Sequence, residues 1–140
     1  MTAMKLLPQE GSWLLPVAGQ LITRCCVDNE AVRLLCLNAV EVSVSQPFSL
    51  HIPEGRSYLL NSGGPAPALA PVLRVMRQEV RKGTAYHDGR LDIEFKDGSR
   101  INVPSSKDFE AWEATGPGGV DGLKIVSIPG GDLAIWPDRR

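Results

Sequence analysis

From Arg90 to Lys96 the chain reads Arg, Leu, Asp, Ile, Glu, Phe, Lys, a strict alternation with Leu91, Ile93 and Phe95 on one face and charges on the other. A period of two fits a half-buried strand and no helix. Asp97 and Gly98 follow, and then Ile101 and Val103 alternate with Arg100 and Asn102. A two-residue Asp-Gly turn would set Phe95 opposite Arg100 and mix the faces. A three-residue loop of Lys96, Asp97 and Gly98, with Gly98 in the left-handed conformation, instead pairs Ile93 with Ile101 and Leu91 with Val103. The bulged hairpin is therefore expected, with Val80–Tyr86 as a third strand that turns through His87, Asp88 and Gly89.

The first half reads on the same plan. Ile22–Val27, 32–37 and 42–44 overlay the three later strands, and Val32, Leu34, Cys36, Val42 and Val44 fall on Leu91, Ile93, Phe95, Ile101 and Val103, each 59 positions on. Phe48–His51 then overlays 109–112 after a two-residue insertion. Either an internal duplication or a coincidence of alternation produces this match, and both describe two β-meanders in tandem.

Glycine and proline punctuate the rest. The chain has 14 glycines and 11 prolines, more than an average globular domain. Gly63, Gly64, Pro65, Pro67 and Pro71 make a stiff connector over 61–71, after which Val72, Leu73, Val75 and Met76 suit a helix of two to three turns. Short β-prone segments follow at 109–115, 123–128 and Asp132–Trp136, separated by Gly and Pro clusters. The expected fold is α+β but mostly β: two tandem antiparallel meanders joined by a crossover with one short helix, packed as a sandwich or half-closed barrel. A single domain spans 1–140, with the first meander half at 20–60, the connector and helix at 61–79 and the second half at 80–140.

The start of the chain has one Lys5, then Pro8 and Glu10, and the apolar run 13–22 is broken by Pro16, Gly19 and Gln20. Neither a signal peptide nor a membrane span is expected, and the cytoplasm is the expected compartment. The three cysteines, Cys25, Cys26 and Cys36, are odd in number and lack Cys-x-x-Cys or a histidine at ligand spacing. No metal or other cofactor is expected. If 28–30 turn a hairpin, Cys36 falls opposite Ile22, out of disulfide reach of Cys25 and Cys26.

Few side chains form a chemical constellation. His51 lies on a strand and His87 in a turn, and no Gly-x-Ser-x-Gly elbow exists, so a nucleophile has no evident base. The glycines before the helix cannot cradle phosphate, because Pro65, Pro67 and Pro71 remove backbone donors. Glu110 and Glu113 flank Ala111 and Trp112 as a carboxylate pair, but a strand would send them to opposite faces. Arg74 and Arg77, with Arg81 and Lys82, would form a basic strip if the helix ran that far. A net charge of −1 and the lack of aromatic neighbours argue against nucleic acid. Trp112 and Trp136 are either core or recognition residues.

The segments Asp88-Gly89-Arg90-Leu91, Phe95-Lys96-Asp97-Gly98, Phe109-Glu110-Ala111-Trp112-Glu113 and 129–136, with 13–19 and 46–50 in the first half, resemble a family of small uncharacterised proteins widespread in actinobacteria. That resemblance implies a standalone domain and supplies no catalytic residue or cofactor. The expected function is a non-enzymatic protein-interaction module of immunity-like type, with Trp112, Trp136, Glu110, Glu113, Arg74 and Arg77 as candidate binding residues. The alternatives are an enzyme using Glu110, Glu113, Asp92 and Asp97, and a structural protein that self-associates into a homo-oligomer.

Overall fold

The alternating run forms the strand Leu91–Phe95, and it meets Arg100–Val103 in the register its apolar residues require: Ile93 faces Ile101 and Leu91 faces Val103. The Phe95 N–H donates to the Ser99 carbonyl, and Gly98 closes the loop at φ +94°. The computed structural model describes residues 5–116 and 122–136; Pro117–Asp121, which include much of one expected glycine loop, lie outside them.

In chain order the first strands are β1 (Leu7–Gln9), β2 (Ser12–Leu14), β3 (Ile22–Val27), β4 (Val32–Cys36), β5 (Glu41–Val44), β6 (Phe48–His51) and β7 (Ser57–Leu60). A 3₁₀ helix, Ala66–Val75, leads to β8 (Val80–Tyr86), β9 (Leu91–Phe95), β10 (Arg100–Val103), β11 (Trp112–Thr115), β12 (Lys124–Ile128) and β13 (Asp132–Trp136). They form two open antiparallel sheets, ordered β1-β2-β8-β9-β10-β6-β7 and β13-β12-β11-β5-β4-β3. The half-closed barrel is not formed.

The two meanders match in detail. Val32 faces Val44 and Leu34 faces Val42, as Leu91 faces Val103 and Ile93 faces Ile101. Asn38 Oδ1 accepts the Val40 N–H in one loop and Asp97 Oδ1 accepts the Ser99 N–H in the other. Each leading strand carries an irregularity at the same place, between Ile22 and Arg24 in β3 and between Val80 and Lys82 in β8. The strand starts also pair with each other: the Ile22 N–H donates to Gln78 O (3.0 Å) and the Val80 N–H to Gln20 O (2.8 Å), around a bridge between Leu21 and Glu79. That reciprocal pairing is the signature of an approximate two-fold axis.

The halves do not divide into sheets as tandem meanders would. After β5 the chain crosses over, so β6 and β7 extend the second meander beyond β10 while β11 and β12 extend the first beyond β5. Leu50 faces Ile101 and Ala114 faces Val42, so Phe48 is the counterpart of Trp112. The insertion is longer than the two residues the sequence overlay used, and Phe109 is not the counterpart: it stands 60% exposed before β11 begins.

One core joins the inner faces of both sheets, with Val32, Leu34, Val42, Phe48, Leu50, Leu91, Ile93, Phe95, Ile101 and Trp112 all buried in it. Each large side chain removed from water there contributes roughly 1.5–3 kcal/mol. The helix starts six residues earlier than its apolar spacing suggested and is a 3₁₀ helix carrying Pro71, burying Leu69, Val72 and Val75. It ends before Arg77, whose φ is +65°. Arg74 and Arg77 therefore share no helical face, and the basic strip is not formed.

Candidate functional site

The expected binding residues scatter. Arg74 is exposed beside Glu54 (3.8 Å), far in sequence and on a different element from the tryptophans. Trp112 is 1% exposed, and its indole N–H donates to the Gly89 carbonyl at 2.8 Å. Trp136 is 49% exposed on the terminal strand β13, with the Lys124 ammonium 5.6 Å from its ring centroid. Glu110 precedes β11 instead of lying on it, and with Glu113 it lines one shallow groove of about 170 Å³ beside Arg33. The two carboxylates thus share a groove, where a common strand would have separated them; Glu113 lies 3.8 Å from Lys124.

The burial of Trp112 has a structural use. The Gly89 carbonyl accepts from both Trp112 Nε1 and Ser127 Oγ, at 2.8 and 2.7 Å. A Cβ on Gly89, whose φ is +93°, would meet Ser105 Cβ and Ser127 Oγ at 3.0 Å and Gly131 Cα at 3.3 Å. The β8–β9 turn of one sheet is thereby latched to β11 and β12 of the other. Three of the segments behind the family resemblance, at Gly89, Trp112 and Gly131, meet at this junction, so they serve architecture.

Chemistry gathers instead on the outer face of the seven-stranded sheet. Cross-strand register sets Lys82, Glu94, Arg100, His51 and Ser57 in one row, and Thr84, Asp92, Asn102, Ser49 and Leu59 in the next. Arg100 Nη2 donates to Glu94 Oε1 at 2.9 Å, and its Nε lies 3.4 Å from Asp92 Oδ1. Asn102 Nδ2 donates to the same Asp92 oxygen at 2.7 Å. His51 Nδ1 and Ser57 Oγ are 2.7 Å apart, and the Arg90 guanidinium lies 4.3 Å from the Tyr86 ring centroid. Two open grooves, about 450 and 350 Å³, cross these rows, and Arg100 and Asn102 line both.

The electrostatics single out Asp92. Its side chain is only 13% exposed, and burial pushes its pKa up; Glu94 adds to this while Arg100 and Asn102 pull it back. The Glu94 hydrogen bond and the Asp92 charge in turn hold Arg100 protonated more firmly than usual. Each charge is stabilised by its neighbour at a price in desolvation. Asp97, the other carboxylate weighed for catalysis, accepts from Ser99 Oγ and the Ser99 N–H and so belongs to the turn. In the sequence Arg100 and Asn102 stand out only as the polar half of an alternation. The signal was present, because the expected hairpin register already sets Asp92 opposite Asn102 and Glu94 opposite Arg100.

Among the described residues, no group of three or more His, Cys, Asp or Glu side chains is placed to hold a metal ion. Among them, no helix is long and apolar enough to cross a membrane. Cys36 is buried, and burial pushes its thiol up to about 11; Cys25 is also pushed up to about 11, by burial first and by Cys26 beside it second. Such thiols stay protonated and unreactive near neutrality.

Comparison with known proteins returns one assignment. No curated protein and no solved structure matches the chain. A family model does match, over residues 13–137. The chain belongs to that family, DUF6188, a family of unknown function.

Proposed function

We propose that the chain is a non-enzymatic interaction module of immunity-like type, which docks a protein partner on the outer face of its seven-stranded sheet. The carrying observation is the network of Asp92, Asn102, Arg100 and Glu94, whose Arg100 and Asn102 line both grooves while Glu94 lines one and Asp92 the other. The core is built on the opposite faces of these strands, so the fold gains little from keeping a carboxylate half out of water at a cost to itself. Side chains held in fixed positions by one another are what a recognition surface needs, since little rotamer freedom remains to be lost on binding. The three free thiols fit a reducing compartment and support a cytoplasmic location.

The test is affinity purification from the native host at native expression, with wild type beside the double variant Arg100→Ala, Asn102→Ala. A partner retained by wild type and lost by the variant, with circular dichroism and melting unchanged, supports the reading. Recovery of no protein but the chain itself, or equal retention by the variant, defeats it.

A second reading, a carboxylate-dependent enzyme, is favoured by the raised pKa of Asp92 in a groove. Asp92→Asn keeps the shape of that groove. An enzyme relying on Asp92 loses turnover completely in this variant, whereas a docking face shows a graded change in affinity.

A further inference from the structure

We infer that β7 is a self-pairing edge, through which two copies of the chain join their seven-stranded sheets into one antiparallel sheet. The sheets end in four strands, β1 and β7 in one and β3 and β13 in the other. An unprotected edge offers a row of unpaired backbone groups, and natural sheets guard theirs with proline, charge, bulges or cover. Three of these four carry a guard in their own sequence or bonding, whereas β7 carries none of its own and meets the helix Ala66–Val75 that follows it. The centre of β1 is Pro8. The start of β3 is irregular and carries Arg24, and Ile22 already exchanges backbone hydrogen bonds with Arg77 and Gln78. In β13, Asp132 Oδ1 takes the Leu133 N–H at 2.8 Å, and the Lys124 ammonium stands over Trp136.

The sequence of β7, Ser57-Tyr58-Leu59-Leu60, contains no proline and no charge, and its pairing with β6 is unbroken. The side chain of Leu59 is 76% exposed on it. The Ile52 N–H donates to Arg56 O, which makes 52 and 56 a hydrogen-bonded pair. By the alternation of an antiparallel ladder, Tyr58 and Leu60 then bond inward to β6 while the N–H and C=O of Ser57 and Leu59 point outward. Among the described residues, no backbone bond outside the β6 pairing engages either residue.

The occupant follows from the lack of charge. Across a two-fold axis every residue near the axis meets its own copy, so a charged edge repels itself and an uncharged one does not. An acidic or basic partner, conversely, finds nothing on β7 to grip. Parity leaves a register in which Leu59 faces Leu59 of the second copy: each donates its outward N–H to the other's carbonyl, Tyr58 faces Leu60, and both exposed leucines are covered. A contact this short buries far less than the roughly 1,200 Å² of a stable interface. The dimer is accordingly weak, emerging above roughly 100 μM. This proposal does not rest on the docking of a foreign partner, because Arg100 and Asn102 lie two strands in from the edge.

Sedimentation over about 10 μM to 1 mM, with amide hydrogen exchange at both ends of that range, tests it. Wild type is expected to pass from monomer to dimer, and the Leu59 amide to slow at least about fivefold at the high end while Tyr58 and Leu60 are protected throughout. Leu59→Lys weakens association at least about tenfold through charge. Leu59→Pro does so by removing the outward N–H, which no bond among the described residues uses, and so tests the backbone pairing separately from charge. The double variant Arg100→Ala, Asn102→Ala dimerises as wild type does. A chain that stays monomeric with a fast Leu59 amide, or a dimer that both Leu59 variants retain, overturns the proposal.

Discussion

At the tip of the first meander's central hairpin stands Ala39 at φ +70°, and at the same place in the second stands Gly98 at φ +94°. The central hairpin loops, the irregular leading strands and the inward residues agree between the halves; the outward residues do not. Arg33 holds the place of Asp92, Leu35 that of Glu94, Glu41 that of Arg100 and Ser43 that of Asn102. In the second half opposite charges meet across the strands. In the first, Arg33 turns to Asp28 in its own hairpin, and Leu35 brings an apolar side chain into the outer row. Inward positions are constrained by the shared core and turn positions by backbone geometry, so the outer face is where the halves are free to differ. That freedom is why the candidate site lies on one sheet and has no copy on the other.

The largest effects fall where the halves agree. Phe48 and Trp112 are counterparts, and truncation of either to alanine is expected to cost about 3–5 kcal/mol in denaturant unfolding. They separate under a subtler change, because only Trp112 carries a donor. Trp112→Phe removes one of the two hydrogen bonds to Gly89 O and is expected to cost about 1–2 kcal/mol. A negligible cost would mean that the latch between the sheets carries no weight.

The β8–β9 turn and its counterpart sharpen the contrast. Gly89→Ala places a Cβ at 3.0 Å from Ser105 and Ser127 on a backbone at φ +93°, and is expected to cost about 2–3 kcal/mol. The counterpart turn has no positive φ at Asn29 or Glu30, and Asn29→Ala is expected to stay within about 0.5 kcal/mol. Equal melting shifts for the two would break the argument that the second turn alone is wedged between sheets.

The hairpin tips give a reciprocal pair of smaller effects. Ala39→Gly relieves a left-handed alanine and is expected to stabilise by about 0.5–1 kcal/mol, while Gly98→Ala is expected to destabilise by about the same amount. A Cβ on Gly98 meets only Pro53, at an ordinary 3.5 Å, so backbone strain alone sets the cost. Thermal unfolding of both variants measures it, and two shifts of the same sign would contradict the equivalence of the loops.

The hairpin from Leu91 to Val103 was legible to the residue, because its alternation admits one register and Gly98 fixes the loop. Cys36 also stands opposite Ile22 as expected, but by two offsetting departures: the turn takes in Ala31 as well as 28–30, so that Val27 faces Val32, and the irregularity between Ile22 and Arg24 restores the register. The crossover of β6–β7 and β11–β12 was not legible: β6 pairs with β7 after it but with β10 in place of β5 before it, and alternation tells a strand its face but never its distant partner. Apolar spacing at 72–76 looks alike in a 3₁₀ and an α-helix, while the ring of Pro71, which would clash with the carbonyl four residues back, opposes a regular α-helix through the segment. Asp92 was legible as a carboxylate and missed as the member of a network. Its exposure, and with it its protonation, depends on side chains from two further strands.

The two arginine-bearing halves also differ in how their carboxylates respond to acid, which is the finest test of the comparison. Burial raises the pKa of Asp92, so the folded state holds that proton more tightly than the unfolded chain. Its contribution to stability is complete below the ordinary carboxylate range and is lost as the pH climbs through the raised folded value. Asp92→Asn escapes this loss, keeps an oxygen to accept from Asn102 and leaves Arg100 its bond to Glu94. Its stability relative to wild type is therefore expected to improve from about pH 3 to pH 7. Asp28 is the opposite case, held below its usual pKa by the N–H groups of Glu30 and Ala31 and by Arg33. Its contribution is present above the ordinary carboxylate range and lost as the pH falls through the lowered folded value, so Asp28→Asn costs more at pH 7 than at about pH 3. Urea unfolding of both variants across that range should give relative stabilities with opposite slopes. Parallel slopes would mean that the network around Arg100 behaves like an ordinary surface pair, and the outer face of the seven-stranded sheet would then have no electrostatic feature to distinguish it from its counterpart.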